Sequence, residues 1–249
     1  MTIGPPTKLT CPHCGGHKHI LSILSGNTFG ATRWSDSYLE CPMLEEPSLI
    51  QSCPHCGKYF FYEDSKPEML RRETDNKTSF IEMLMDEMKV KEKKKEKEKA
   101  PSQKQWKAIC DEADENGFGE LTFDETDEAF GQLYSDDLPE KVKYRLLFSW
   151  LFAYNEGYGA RAEFPILWEC PPETLARREF VIRTLMGMSG RNKLLVAELH
   201  RELGEFDKCM ELASAVLEKS KEGEAEAARQ ILEAARRGET DVFRIEHEN

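Results

Sequence analysis

No stretch of this chain approaches the roughly 18 consecutive apolar residues that a helix needs to cross a bilayer. The first residues, MTIGPPTKLTC, lack both the basic flank and the apolar segment of an export signal, so a cytoplasmic location is expected. A glycine-rich phosphate loop, a G-x-S-x-G elbow and an H-E-x-x-H helix are also missing, which leaves no motif for nucleotide binding, serine hydrolysis or zinc proteolysis. Acidic pairs abound, but sequence alone brings no two of them into one cleft, and no catalytic residue is assigned. Basic excess is absent too: 34 Lys and Arg stand against 46 Asp and Glu, a net charge of −12. Nonspecific nucleic-acid affinity comes largely from neutralising phosphates, so the chain as a whole should be repelled by a polyanion.

The 249 residues suffice for one large or two smaller domains. The apolar share, 39%, is low for a single globule and the charged share, 32%, is high, which favours a multi-part architecture. Charge is also unevenly spread, with two basic and eleven acidic groups in residues 101–138.

Cysteine is well represented, with eight residues. In a reducing compartment paired C-x-x-C elements bind metal or perform redox work more often than they form structural disulfides. Four of the eight lie in two copies of one pentapeptide, CPHCG, at Cys11 to Gly15 and Cys53 to Gly57. In such a turn two thiolates grip one ion, proline stiffens the backbone, and glycine takes the left-handed conformation that lets N–H groups point at sulfur. Two turns complete a tetrahedral set, so Cys11, Cys14, Cys53 and Cys56 resemble the ligands of a zinc ribbon. The 38 residues between Cys14 and Cys53 exceed the about 15–20 of the tightest pattern, so a loop or extra hairpin is inserted between the turns. Four protein ligands leave no open position, which makes the expected single zinc structural. Iron is the alternative, because rubredoxins also use two C-x-x-C-G turns, although the rest of that pattern is not present; a redox-active dithiol is the other. His13, His17, His19 and His55 lie close by and, with four cysteines at hand, are expected to face solvent. Cys41, Cys110, Cys170 and Cys209 read as small apolar residues.

The cluster Trp34, Tyr38, Tyr59, Phe60, Phe61 and Tyr62 reads as the core of a small metal domain, with base stacking as the sharper alternative. Arg33, Trp34, Asp36, Lys58 and Tyr59 are the candidate surface contacts of the ribbon. "DENGFGELTFDE" (Asp114 to Glu125) resembles an EF-hand loop, with Asp114, Asn116, Glu120 and Glu125 as its oxygen donors. Phe118 sits where a fifth-position oxygen is needed, so an acidic turn followed by a helix is the expectation and calcium the minor one.

Phe80, Ile81, Leu84, Met85 and Met88 recur at helical spacing and run into KVKEKKKEKEK, a solvated helix or linker ended by Ala100-Pro101. Beyond it, Val142 to Tyr154 is apolar nearly all round and should be a central helix, and a second helix enters through Pro171-Pro172. Gly204 and Gly238 are 34 residues apart, the length of a tetratricopeptide repeat. Around Gly204, Phe206, Ala197, Cys209 and Val216 the sequence resembles such a repeat, although Lys193 and Ala213 depart from it.

The expected fold class is α+β and multidomain: a small β-rich zinc ribbon with an inserted loop (1–66), a helix and charged linker (67–100), an acidic helix-loop-helix segment (101–138), and a mainly α-helical, tetratricopeptide-like domain (139–249). With GNTFGA…WSD…PML between two CPxCG turns and helical repeats following, the chain resembles a family of uncharacterised prokaryotic proteins. That resemblance implies a metal ribbon joined to helices and brings no activity. The expected function is a non-catalytic, zinc-binding adaptor whose helices take a protein or peptide partner, with no membrane partner. The contrasting expectation is nucleic-acid binding by the ribbon through Arg33, Trp34, Lys58 and Tyr59.

Overall fold

A computed structural model describes residues 1–70, 101–158, 170–190, 192–220 and 222–246. The helix and charged run expected over 79–99 lie outside these residues. The chain divides into two compact units, one of residues 1–26 and 45–120 and one of residues 27–44 and 121–249.

In the first unit, strand β2 (Thr7–Thr10) pairs antiparallel with β3 (His17–Ile20), in the register Thr7 opposite Ile20 and Thr10 opposite His17. Alternation along these strands buries Leu9 and Ile20 on one face. A short β1 (Thr2–Ile3) pairs with β4 (Ile23–Ser25), and β9 (Glu68–Met69) adds to the other edge of β2. The hairpin of β7 (Ile50–Ser52) and β8 (Tyr59–Phe61) is the counterpart of β2–β3, and a 3₁₀ turn (Tyr62–Ser65) follows it.

Helix α1 (Gln103–Asn116) starts at a capping box in which Ser102 and Gln105 serve each other's backbone. It covers the outer edge of β3. The Glu112 carboxylate accepts from the backbone N–H of His19 at 3.0 Å and lies 2.8 Å from its ring Nδ1, the Asn116 amide donates to the His19 carbonyl at 2.8 Å, and the Leu21 N–H donates to Gly117. An edge that would otherwise present unpaired backbone groups is thereby closed.

Among its described residues the second unit is helical apart from a two-stranded hairpin, β5 (Thr32–Arg33) with β6 (Leu39–Glu40), and an isolated bridge from Trp34 to Arg244. Its helices are α2 (Phe123–Leu133), α3 (Glu140–Gly157), α4 (Pro172–Met188), α5 (Lys193–Glu202), α6 (Phe206–Leu217) and α7 (Glu222–Arg237), each packed on the next. The expected central helix lies within α3, which buries Leu146, Leu147, Trp150, Leu151 and Tyr154. Proline opens α4, where a missing N–H costs nothing.

Helices α5, α6 and α7 share a core of Ala197, Cys209, Ala213, Ile231, Leu232 and Ala235. Gly204 after α5 and Gly238 after α7 both take left-handed φ, 74° and 72°. Both turns close alike: Gly204 N–H donates to Arg201 and Glu205 N–H to His200, while Gly238 N–H donates to Ala235 and Glu239 N–H to Ala234.

The hairpin of β5 and β6 packs on the C-terminal tail and on α3. Trp34 bridges Arg244 in the C-terminal tail, Ser35 N–H donates to Phe243, and Ile245 N–H donates to Arg33. Tyr38 packs against Phe152 of α3 with ring centroids 4.8 Å apart. No helix among the described residues is long and apolar enough to cross a membrane.

Candidate metal centre

Each CPHCG turn caps the end of a hairpin and folds in the same way. The Gly15 N–H donates to the Cys11 carbonyl and the Cys11 N–H to that of Gly16; 42 places on, Gly57 N–H donates to Cys53 and Cys53 N–H to Lys58. Gly15 and Gly57 take φ of 72° and 68°, which a side chain would strain.

The turns bring Cys11, Cys14, Cys53 and Cys56 together, all four sulfurs lying within 4.8 Å of one another. The Sγ of Cys11 is 3.8 Å from that of Cys56, and Cys14 is 3.6 Å from Cys53. Sulfurs about 2.3 Å from a common ion stand about 3.8 Å apart in a tetrahedron, so the donor set fits one tetrahedrally bound metal ion. All four are free cysteines. Cys11 and Cys53 are buried with Phe60 beneath the site, and Cys14 and Cys56 face outward.

Electrostatics point the same way. Burial opposes ionisation of Cys53, but N–H groups of Cys56 and His55 aimed at its sulfur, with the neighbouring thiols of Cys14 and Cys56, outweigh it and bring the thiol down to about 7. At Cys14 the N–H of Gly16 favours the thiolate, yet desolvation and the sulfurs of Cys53, Cys56 and Cys11 push it up to about 12. Four sulfurs this close do not all ionise unless a cation sits among them.

The histidine in each turn has a partner that the sequence did not announce. His13 Nε2 donates to the carbonyl of Tyr59 at 3.2 Å, and His55 Nε2 donates to the carbonyl of His17 at 3.0 Å. Tyr59 and His17 are equivalent positions of the two hairpins, so each turn reaches across and holds the other in a reciprocal clasp. Both histidines are exposed as expected, yet neither is idle. Their repetition at the same place within CPHCG was the available signal.

No protein-family model matches the chain, and neither a curated protein nor a solved structure matches it. The resemblance carried by GNTFGA…WSD…PML therefore rests on those residues alone.

The other candidates are placed as follows. Lys58 and Arg33 are exposed, in different units, whereas Trp34, Asp36 and Tyr59 are buried and serve packing, which removes them as surface contacts. Trp34 lies beneath the Arg244 guanidinium, 5.4 Å from ring centroid to carbon, and its indole N–H donates to Glu40. Of the EF-hand-like residues, Asn116 is committed to His19, and Glu125 closes a capping box with Thr122 at the start of α2. Asp114 and Glu120 belong to the first unit and Glu125 to the second. Phe118 is buried, its carbonyl accepting from Ser48 N–H. Among the described residues the four cysteines form the group of His, Cys, Asp or Glu arranged to hold an ion.

Proposed function

We propose that this protein is a non-catalytic, zinc-binding interaction protein, with one structural zinc in the ribbon and a protein or peptide partner on its helices. The observation that carries the zinc reading is the closed donor set: four sulfurs from two equivalent turns, clasped by His13 and His55, with no position left for water or substrate. Such a site supplies folding energy and presents two hairpins rigidly. Thiols kept ready for metal suit a reducing compartment, in line with a cytoplasmic location.

The helical part supports the partner reading. The identical glycine turns 34 residues apart, with small Ala197, Cys209 and Ala213 at the contacts, are what a tetratricopeptide-like stack requires, and such stacks bind peptides along an exposed face. Net charge and the burial of Trp34 and Tyr59 weigh against the nucleic-acid alternative.

Native mass spectrometry of the full chain, purified without added metal, tests the first part. One zinc per chain is expected; iron would move the protein to electron transfer, and four free thiols without metal would refute the ribbon. Crosslinking in cells from the exposed Lys193 and Lys208 tests the second, and the absence of any protein crosslinked to α5 or α6 refutes it.

A further inference from the structure

Residues 239–246, which follow α7, are gripped by their backbone from three sides. From α5, the buried Arg201 donates to the carbonyls of Glu239 and Asp241 at 2.5 and 2.8 Å. From the β5–β6 hairpin, Ser35 N–H donates to the Phe243 carbonyl at 2.9 Å, the Ser35 hydroxyl accepts from Phe243 N–H at 3.1 Å, and the Arg33 carbonyl accepts from Ile245 N–H at 2.8 Å. From α7, the Gln230 amide takes both backbone groups of Glu246, accepting from its N–H at 3.0 Å and donating to its carbonyl at 2.6 Å. The segment thus lies antiparallel beside β5. Backbone contacts of this kind are how a sheet edge takes up a foreign peptide, with pockets for particular side chains adding specificity. Here Val242 and Ile245 are buried, and the Phe243 ring lies 5.1 Å from the Arg201 guanidinium carbon.

Each group that reads this backbone is anchored elsewhere as well. Arg201 donates to both carboxylate oxygens of Glu198, at 2.6 and 2.8 Å, and Gln230 donates to Glu226 at 2.8 Å. Strand β5 is paired with β6, and α5, α6 and α7 share a buried core to which the segment adds Phe243 at the rim. The receptor side is therefore built from its own contacts, which keeps the cost of ordering it for a ligand low. Nor does the segment fill the space beside it. A cavity of about 520 Å³ runs along it, lined by Arg229, Glu233 and Arg237 of α7 and by Phe243, Arg244 and Glu246.

We propose that the groove formed by α5, α7 and the edge of β5 is the peptide site of this protein, filled in cis by residues 239–246. Its partner is an extended protein segment with two adjacent apolar residues and a third two places on, the pattern of Val242, Phe243 and Ile245, which displaces the chain's own copy. The inference rests on the reading of the helices as a partner-binding stack and names the place and the chemistry of that partner. A tethered segment competes at an effective concentration on the order of millimolar, so the resting protein binds such partners weakly and whatever loosens the segment opens the site.

Fluorescence anisotropy with a labelled peptide ETDVFRIE, the sequence of residues 239–246, tests this on the full chain. Phe243→Ala with Ile245→Ala weakens the cis copy and should tighten peptide binding at least about tenfold over wild type. Adding Gln230→Ala, on the groove, should lower that affinity again by about tenfold, because two backbone hydrogen bonds are lost. The same peptide with aspartate in place of Phe243 and Ile245 should not bind. Equal binding by wild type and double variant, or none by either, overturns the proposal. Should the double variant lose its helical circular dichroism, hydrogen exchange of the wild type decides: rising peptide should speed the Ile245 and Glu246 amides and leave Leu199 and Ile231 protected, and unchanged exchange at millimolar peptide overturns the proposal. A wild-type dimer that the double variant dissolves would assign the groove to a second copy and also overturn it. Cellular crosslinks on α5 or α6 without displacement by peptide leave the adaptor reading standing and remove this groove; displacement without any crosslink supports the groove and counts against the adaptor.

Discussion

Stripping the proposed zinc should unfold the ribbon and spare the helices of the second unit. Leu9, Ile20, Ile50 and Phe60 are each no more than 2% exposed. At about 1.5–3 kcal/mol per buried side chain they contribute on the order of 9 kcal/mol. Ordering the backbone of the four strands that carry the turns, each three or four residues long, costs on the order of 20 kcal/mol. Two-stranded hairpins are marginal in water, and the shortfall of about 10 kcal/mol is the size of the binding free energy of a structural zinc, about 10–16 kcal/mol. Hydrogen exchange before and after treatment with a tight chelator reads this out by segment. Amides of Leu9, Ile20, Gln51 and Phe60 should fall to the rates of an unfolded chain, while those of Leu146 to Leu151 in α3 keep their protection. Cys53→Ser should do the same without chelator; Cys41→Ser, half-buried and outside the cluster, should not. Strand amides that stay protected once the metal is gone would refute this account.

His13→Ala and His55→Ala each open one half of the clasp, and because the halves are equivalent each should speed metal loss to a competing chromophoric chelator by a similar factor, on the order of tenfold. Arg201→Met leaves Glu198 buried without its cation and the Glu239 and Asp241 carbonyls without a donor, and should cost about 3–5 kcal/mol in urea unfolding followed by helical circular dichroism. Adding Glu198→Gln should recover part of that loss. Glu205 is held below the usual carboxylate range, first by His200 at 2.6 Å and then by Arg183 at 3.0 Å. Its contribution is present above the ordinary carboxylate pKa and is lost as pH falls through the lowered one. Glu205→Gln should therefore cost about 0.5–1 kcal/mol at pH 7 and nothing near pH 3, measured by thermal unfolding at both.

The parts of this protein written in neighbouring residues were legible without coordinates. Two thiolates three residues apart, a proline and a glycine define a metal-gripping turn by local geometry, and its repetition implied the four-sulfur site. Likewise the apolar run from Val142 to Tyr154 and the paired prolines before Glu173 sufficed to place α3 and α4, because helix formation rests on contacts within a few residues. What depended on distant contacts was not legible. Nothing in GNTFGATRWSD says that this stretch belongs with the helices; that follows from Asp36 meeting Asn155 and from Trp34 pairing with Arg244, more than 100 residues away in each case. The acidic segment after Pro101 suggested a calcium loop, yet Glu112 and Asn116 are spent on closing the edge of β3. Nothing in the sequence around Glu202 marks it as a buried carboxylate, yet it is 2% exposed. Its burial beside Arg178 is decided by tertiary packing, and the free energy of such a charge is set by the medium and neighbours that the fold assembles around it.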